Sequence, residues 1–228
     1  MNLLCGSFAV VAALMYNDLT LAFWLIVAGI VFDFFDGFVA RLLHSPSAIG
    51  VQLDSLADVI TSGLAPAAVL WQVCLQTEPC WLPETWKLGY GVFVLAAFSA
   101  LRLAKFNIDE TQTVEFCGLP TPAGSLLCAS LGMLWQQGAV ALSSDGVLLI
   151  AVLTSLLLVS PIRMFALKFH GFGWRGNEVR YLFLLASIVL IIILRTYAIP
   201  VIIVLYIVVS AVRWLCMRSG NPDKAPKA

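Results

Sequence analysis

Long apolar runs, separated by short polar stretches, recur from one end of this chain to the other. A helix needs about 20 apolar residues to cross a bilayer, and most of these runs approach that length. The first run is short for a span. The pattern predicts an all-α fold, a polytopic membrane helical bundle of about eight transmembrane helices. We place the helices at 3–15, 19–43, 48–75, 87–106, 123–142, 146–167, 181–195 and 197–217.

Three polar stretches stand out between or after these runs. Residues 107–122 contain two prolines and are expected to form an ordered loop between two spans. Residues 168–180 are rich in glycine and basic side chains, and 218–228 form a polar tail that we expect to be cytoplasmic. The chain therefore divides into one integral membrane domain, 1–217, and the tail.

The distribution of basic residues predicts the orientation of the bundle. With eight spans both termini lie on one side of the membrane, and 11 of the 13 Lys and Arg residues fall on that side. Only Lys87 and Arg195 fall on the other side. Because loops rich in Lys and Arg stay in the cytoplasm, both termini are expected to be cytoplasmic. The 11 are Arg41, Arg102, Lys105, Arg163, Lys168, Arg175, Arg180, Arg213, Arg218, Lys224 and Lys227.

The composition agrees with a membrane protein and narrows the chemistry. The chain is 61% hydrophobic and 11% charged, whereas a soluble domain carries about 25% charged residues. Its formal net charge is zero, and no nucleic-acid partner is expected. The six cysteines are scattered without a CxxC pair or a His/Cys cluster, which argues against a zinc site.

Four aspartates interrupt the apolar pattern between residues 33 and 58. A carboxylate at the centre of a membrane helix costs about 2.5–3.5 kcal/mol and usually marks a functional site. At about 100° per residue, Asp33 and Asp36 share a face of the second helix with glycines and an alanine. Asp54 and Asp58 share a face of the third helix. A short loop joins the two helices, so both acidic faces are expected to line one cleft.

Four carboxylates without basic partners repel one another, and a hard divalent cation removes that repulsion. Oxygen ligands suit Mg²⁺ or Mn²⁺, and four carboxylates are enough for two ions that bridge phosphate groups. Intramembrane carboxylates also occur in ion-coupled transporters, so physical chemistry alone leaves both functions open.

The spacing of this stretch matches D-x2-D-G-x2-A-R-x8-G-x3-D-x3-D at every fixed position. It thereby resembles the signature of the CDP-alcohol phosphotransferase family, integral membrane enzymes of phospholipid synthesis. The resemblance implies that 1–217 is a catalytic domain in which Asp33, Asp36, Asp54 and Asp58 hold two metal ions. It also implies that Asp58 acts as general base. The residues it assigns to the CDP site are Asp33, Gly37, Ala40, Arg41, Gly50 and Asp54.

A second resemblance concerns the alcohol that accepts the phosphatidyl group. The strings Arg102-Leu103-Ala104-Lys105-Phe106-Asn107 and Gly118-Leu119-Pro120-Thr121-Pro122 are similar to the phosphatidylserine synthase branch of that family. The string at 2–6, NLLCG, is also similar to that branch. This implies CDP-diacylglycerol and L-serine as substrates, with phosphatidylserine and CMP as products.

From the residues themselves, Arg102 and Lys105 are expected either to anchor a helix end at the cytoplasmic face or to bind an anion. Asn107 and Thr121 would add hydrogen bonds to the acceptor. Glycerol 3-phosphate or inositol phosphate would use the same cations, so the choice of serine rests on the resemblance. The family also implies a homodimer, and the expected location is a bacterial cytoplasmic membrane with the active site at the cytoplasmic side.

Overall fold

Helices make up most of the chain in the computed structural model, which describes residues 1–42, 48–80, 89–108, 115–165 and 177–220. Eight helices form within these ranges, in the order that the apolar runs predict. They are α1 (Asn2–Leu14), α2 (Leu19–Leu42), α3 (Ala48–Asp58, Val59–Leu64 and Ala65–Gln76), α4 (Gly89–Phe93 and Val94–Ile108), α5 (Thr121–Gln136), α6 (Ser144–Leu158), α7 (Glu178–Leu194) and α8 (Ala198–Gly220).

Helix α3 is one continuous rod, but its middle part, Val59–Leu64, is a π-helical turn. Such turns are rare and often lie at functional sites. This one begins directly after Asp58, and its Thr61, Ser62 and Gly63 are buried. The sequence pattern predicted the rod and not the π turn, because an apolar run of this length has no local signal for a widened turn.

Small residues allow the helices to approach one another closely at the centre of the bundle. Ala9, Ala12 and Ala13 of α1 are buried in the main core. A Cβ added at Gly132 of α5 would collide with the side chain of Val69 in α3. Packing of this kind is typical of membrane helices, where small side chains let the backbones approach.

A two-stranded antiparallel sheet joins two of the connections between helices. Strands β1 (Glu115–Cys117) and β2 (Arg163–Phe165) pair with Phe116 opposite Met164. The prediction of a helix over 146–167 is therefore wrong at its end: α6 stops at Leu158, and Pro161 follows. Proline disfavours helical geometry in the residue before it, which explains the early end. The fifth helix also ends earlier than predicted, at Gln136 and not at residue 142.

Glycine at position 118 is required by the turn that follows β1. Its φ is 76°, a left-handed conformation that favours glycine, and a Cβ there would collide with the carbonyl of Leu158. Its amide donates to the carbonyl of Ile162 at 2.9 Å. Residues 115–120 of the predicted loop are therefore ordered and tied to the end of α6. The ends of that predicted loop are helical, because α4 extends to Ile108 and α5 begins at Thr121.

The helices confirm an integral membrane protein with a helical fold. Four apolar helical stretches of the described chain reach the length of a membrane span: Leu19–Val39, Ile49–Gln76, Gly89–Ile108 and Glu178–Cys216. The last has 39 residues and contains both α7 and α8, which meet at a 3-10 turn, Arg195–Tyr197. Arg195 has a φ of 49° there, so the predicted boundary near this residue is confirmed. Helices α1 and α6 are shorter apolar helices.

Several predicted features lie outside the described residues. They are the loop at 44–47, most of the basic stretch at 168–180, the loop around Lys87 and residues 221–228 of the tail.

Candidate active site

Three of the four aspartates converge where α2 and α3 face each other. The carboxyl groups of Asp33 and Asp54 lie within hydrogen-bonding reach, and the charges of Asp54 and Asp58 both act on Asp33. Asp58 is buried with 9% of its surface exposed, whereas Asp54 lies exposed one helical turn earlier in α3. The predicted cleft between two acidic helix faces is therefore present.

Asp36 stands apart from these three. Its side chain is 62% exposed, and its carboxylate lies 3.9 Å from the amino group of Met1. The helical spacing places it one turn beyond Asp33 on α2, toward the end of that helix.

Asn2 of α1 completes the cluster, and the sequence analysis gave this residue no role. Its Nδ2 donates to Oδ1 of Asp33 at 3.0 Å and to Oδ1 of Asp58 at 2.9 Å. The partners are 31 and 56 positions away in the chain, so no local pattern reveals the contact. The one available signal was that Asn2 opens the 2–6 string that is similar to the phosphatidylserine synthase branch.

Glycines bring α1 against α2 and α3 beside this cluster. A Cβ at Gly6 would collide with Oγ1 of Thr61, and a Cβ at Gly29 would lie 2.7 Å from Cγ2 of the same threonine. Oγ1 of Thr61 donates to the backbone carbonyl of Asn2 at 3.1 Å. The small face that the sequence predicted on α2 is thus partly filled by neighbouring helices.

Among the described residues, the end of that face nearest the loop is less crowded. A Cβ at Gly37 would meet none of their atoms within 4 Å, and Gly50 of α3 is exposed. Ala40 and Arg41 belong to the last turns of the α2 backbone. The described part of the chain therefore leaves room for a ligand beside Gly37, at the edge of the acidic cleft.

The donor chemistry of the cleft fits a divalent cation. Asp33, Asp54 and Asp58 bring carboxylate oxygens together, and oxygen ligands are those that Mg²⁺ and Mn²⁺ prefer. Oδ1 of Asn2 is a buried amide oxygen that accepts no hydrogen bond within the described chain. The described side chains do not include three His, Cys, Asp or Glu residues spaced to hold one ion together. The cleft therefore fits a divalent cation in the type of its donor atoms and in the closeness of the carboxylates.

Arg102 is a buried cation whose charge acts on Asp58, and a second feature of the site begins there. This arginine of α4 is only 8% exposed, and its Nη1 donates to Oγ1 of the buried Thr121 at 2.7 Å. Its charge acts on Asp58, and its guanidinium lies 5.7 Å from the ring centre of Phe106. Nε of Arg102 is buried and lacks a hydrogen-bond acceptor among the described residues.

A cavity of about 370 Å³ opens beside Arg102. Its lining comes from the end of α4, from β1 and from the segment that follows α6. The lining residues are Arg102, Lys105, Phe106, Ile108, Cys117, Leu158, Val159, Ser160 and Pro161. Two cations thus border a space large enough for a small polar molecule.

The four predicted acceptor-binding residues are placed in different ways. Arg102 and Thr121 are joined by a hydrogen bond, and Lys105 lines the cavity. Asn107 instead donates to Oγ of Ser55 at 2.8 Å, which links the end of α4 to α3 near Asp54.

Comparisons with known proteins agree with the geometry of the site. A model of the CDP-alcohol phosphatidyltransferase family matches residues 1–160, which include every aspartate of the cleft, Arg102 and Thr121. Curated relatives named CDP-diacylglycerol--serine O-phosphatidyltransferase share about a third of their residues with this chain. The Bacillus subtilis protein is 32% identical over 170 residues, which cover 75% of this chain and 88% of that protein.

Two further relatives with the same name match a larger share of the chain. The Helicobacter pylori protein (strain 26695) is 31% identical over 200 residues, covering 86% of this chain and 80% of that protein. The Mycobacterium tuberculosis protein (strain H37Rv) is 32% identical over 241 residues, covering 98% of this chain and 81% of that protein. With the family model spanning well over half of its length, this chain belongs to the CDP-alcohol phosphatidyltransferase family.

Proposed function

We propose that this chain is a phosphatidyltransferase that makes phosphatidylserine and CMP from CDP-diacylglycerol and L-serine. The observation that carries the proposal is the position of Asp58. The charges of Asp54 and of the buried Arg102 both act on Asp58, which in turn acts on Asp33, and Arg102 borders a cavity. The names of the relatives favour serine over glycerol 3-phosphate or inositol phosphate, and they favour an enzyme over an ion-coupled transporter.

The reaction is a substitution at phosphorus, and Asp58 is the proposed general base. The serine hydroxyl oxygen forms a new bond to the phosphorus that carries the diacylglycerol group. The bond from that phosphorus to the oxygen of CMP breaks, and CMP leaves. The hydroxyl proton passes to the Asp58 carboxylate, whose burial keeps competing water away from it.

The carboxylates of Asp33, Asp36, Asp54 and Asp58 are the proposed ligands of two Mg²⁺ or Mn²⁺ ions. When bound, such ions neutralise the diphosphate and stabilise the negative charge that develops on the leaving CMP. Asp36 is exposed near the end of α2 and would contribute its carboxylate to the metal site from there.

The CDP part of the donor is proposed to bind at the open end of the cleft. Gly37 has space in front of it, and Gly50 is exposed on the facing helix. Together with Ala40, Arg41 and the oxygens of Asp33 and Asp54, these residues would hold the cytidine and the diphosphate. Positions without side chains let the diphosphate approach the helix backbone.

Serine is proposed to bind through its carboxylate in the cavity beside Arg102. A buried guanidinium is a strong partner for a carboxylate, because it forms charge-assisted and paired hydrogen bonds. Thr121 fixes the guanidinium, and Lys105 adds a second positive charge at the cavity wall. Asn107 would act at the rim, where it links α4 to α3.

The same reasoning leads to proposals for the membrane location, orientation and assembly of the catalytic domain, 1–217. The excess of Lys and Arg on one side supports a cleft that opens to the cytoplasm, and the membrane we propose is a bacterial cytoplasmic membrane. In this orientation the predicted tail, 218–228, would lie at the cytoplasmic side, although its first residues, 218–220, still belong to α8. A homodimer is the assembly expected from the family.

An acceptor panel tests the proposal. Purified protein is supplied with CDP-diacylglycerol, a divalent metal and one acceptor at a time, and CMP release is measured. We expect CMP with L-serine, and none with glycerol 3-phosphate, inositol phosphate or water alone. CMP release with another acceptor but not with serine would contradict the choice of substrate. Transport of an ion or solute into proteoliposomes without CMP formation would contradict the enzyme itself.

A further inference from the structure

One amide group connects two carboxylates that are proposed to have different tasks. Nδ2 of Asn2 donates one hydrogen bond to Asp33, a proposed metal ligand, and one to Asp58, the proposed base. We propose that Asn2 is a positioning residue that sets the separation and orientation of these two carboxylates. The inference deepens the proposed function, and rests on it only for the identity of the reaction.

The chemistry of the two groups explains why an amide is suited to this place. Ionised carboxylates accept hydrogen bonds and cannot donate them, so they cannot bond to each other. A primary amide has two N–H donors, which is the number needed to bond both carboxylates at once. Because each bond uses one oxygen, Oδ1, the second oxygen of Asp58 is left for the substrate proton.

The position of Asn2 is itself fixed from three helices. Its side chain is only 4% exposed, and its backbone carbonyl accepts the hydrogen bond of Thr61 in the π turn of α3. Oδ1 of Asn2 lies 3.1 Å from the place where a Cβ at Gly29 would stand. A side chain held this tightly has little freedom to let the two carboxylates move apart.

The role has a measurable consequence for the metal as well as for the reaction. Residues that orient metal ligands without replacing them typically change metal affinity or activity by about 10- to 100-fold when mutated. Loss of the Asn2 amide leaves Asp33 and Asp58 with no common donor among the described residues, so their mutual repulsion is free to separate them. We therefore expect weaker metal binding together with a lower kcat.

The test compares Asn2→Leu, which keeps the size of the side chain but has no donor, with Asn2→Ser, which keeps one hydroxyl donor. Binding of Mn²⁺ to the purified protein is followed by electron paramagnetic resonance, in the absence of substrates. Steady-state CMP release gives kcat and the KM for serine. The control is Ser7→Ala on α1, since its hydroxyl is exposed and bonds only to its own helix at Leu3.

For Asn2→Leu we expect Mn²⁺ binding and kcat each lower by about 10- to 100-fold, with the KM for serine within about twofold of the parent. For Asn2→Ser we expect Mn²⁺ binding and kcat between those of Asn2→Leu and those of the parent. Ser7→Ala should match the parent in both quantities. If Asn2→Leu does not fold, the serine variant is judged by the same criteria.

Two results would overturn the inference. The first is unchanged Mn²⁺ binding and kcat in folded Asn2→Leu. The second is a loss of folded protein with normal Mn²⁺ binding and kcat per folded molecule, which a purely structural role produces. Failure of the parent protein to use serine would instead contradict the proposed function and leave the Mn²⁺ comparison intact.

Discussion

Replacing Arg102 by lysine tests whether the cavity beside α4 binds the acceptor carboxylate. The change keeps the positive charge but removes the planar fork of donors that bonds a carboxylate on two sides. It also removes the 2.7 Å bond to Thr121, which holds the group in place. We expect Arg102→Lys to raise the KM for serine and to leave the KM for CDP-diacylglycerol close to that of the parent.

The size of the effect follows from the burial of the arginine. Arg102 is 8% exposed, so water cannot replace a lost partner. A hydrogen bond to a charged group is worth about 1.5–3 kcal/mol, and each 1.4 kcal/mol is a factor of ten in an equilibrium constant. Loss of one such bond to serine therefore raises its KM by about 10- to 100-fold.

The assay is CMP release at fixed, saturating CDP-diacylglycerol with serine varied. Arg180→Lys is the matched control, because Arg180 is also 8% exposed and also donates to a side chain, Asn177, at 3.1 Å. Unlike Arg102, it does not line the cavity. An unchanged KM for serine in Arg102→Lys would refute the reasoning. So would an equal rise in Arg180→Lys, since the cause would then be a buried ammonium group in general.

Three further predictions concern the acidic cleft. Asp58→Asn should lower kcat by about 100- to 10,000-fold, which is the usual contribution of a general base. CDP binding, measured by calorimetry, should persist, and near-normal turnover would contradict the role of Asp58. Gly37→Ala should leave the melting temperature unchanged or slightly higher, because its Cβ meets no atom of the described residues and alanine favours a helix over glycine. The same change should raise the KM for CDP-diacylglycerol. Gly6→Ala, whose Cβ collides with Thr61, should instead lower the melting temperature, so equal melting shifts in both variants would contradict this distinction. Removal of divalent ions with EDTA should stop CMP release, and Mg²⁺ or Mn²⁺ should restore it; activity in excess EDTA would argue against the metal site.

Much of the architecture was predictable, because apolar periodicity is a local signal that survives folding. The eight helices appear in the predicted order. The aspartate spacing predicted four carboxylates across one cleft, and the structure brings three of them together while Asp36 stays exposed. The errors fall where local and distant interactions compete. Helix α6 ends at Leu158 because Pro161 and the pairing of β1 with β2 outweigh the apolar character of residues 159–167. Strand pairing between residues about 50 positions apart has no signature in either segment.

The small face of α2 shows most clearly what the sequence contained and what it lacked. Spacing alone grouped Gly29 with Gly37 as positions where something approaches the helix closely. The structure separates them: Thr61 and Asn2 fill the space at Gly29, whereas no described residue fills the space at Gly37. A glycine has the same appearance in a sequence whether a neighbouring helix or a ligand occupies the space before it. The distinction depends on how α1 is aligned against α2 and α3, and that alignment is set by contacts between distant residues. The same alignment brings Asn2 to the carboxylates, so the packing of the bundle and the geometry of its acidic cleft have one origin.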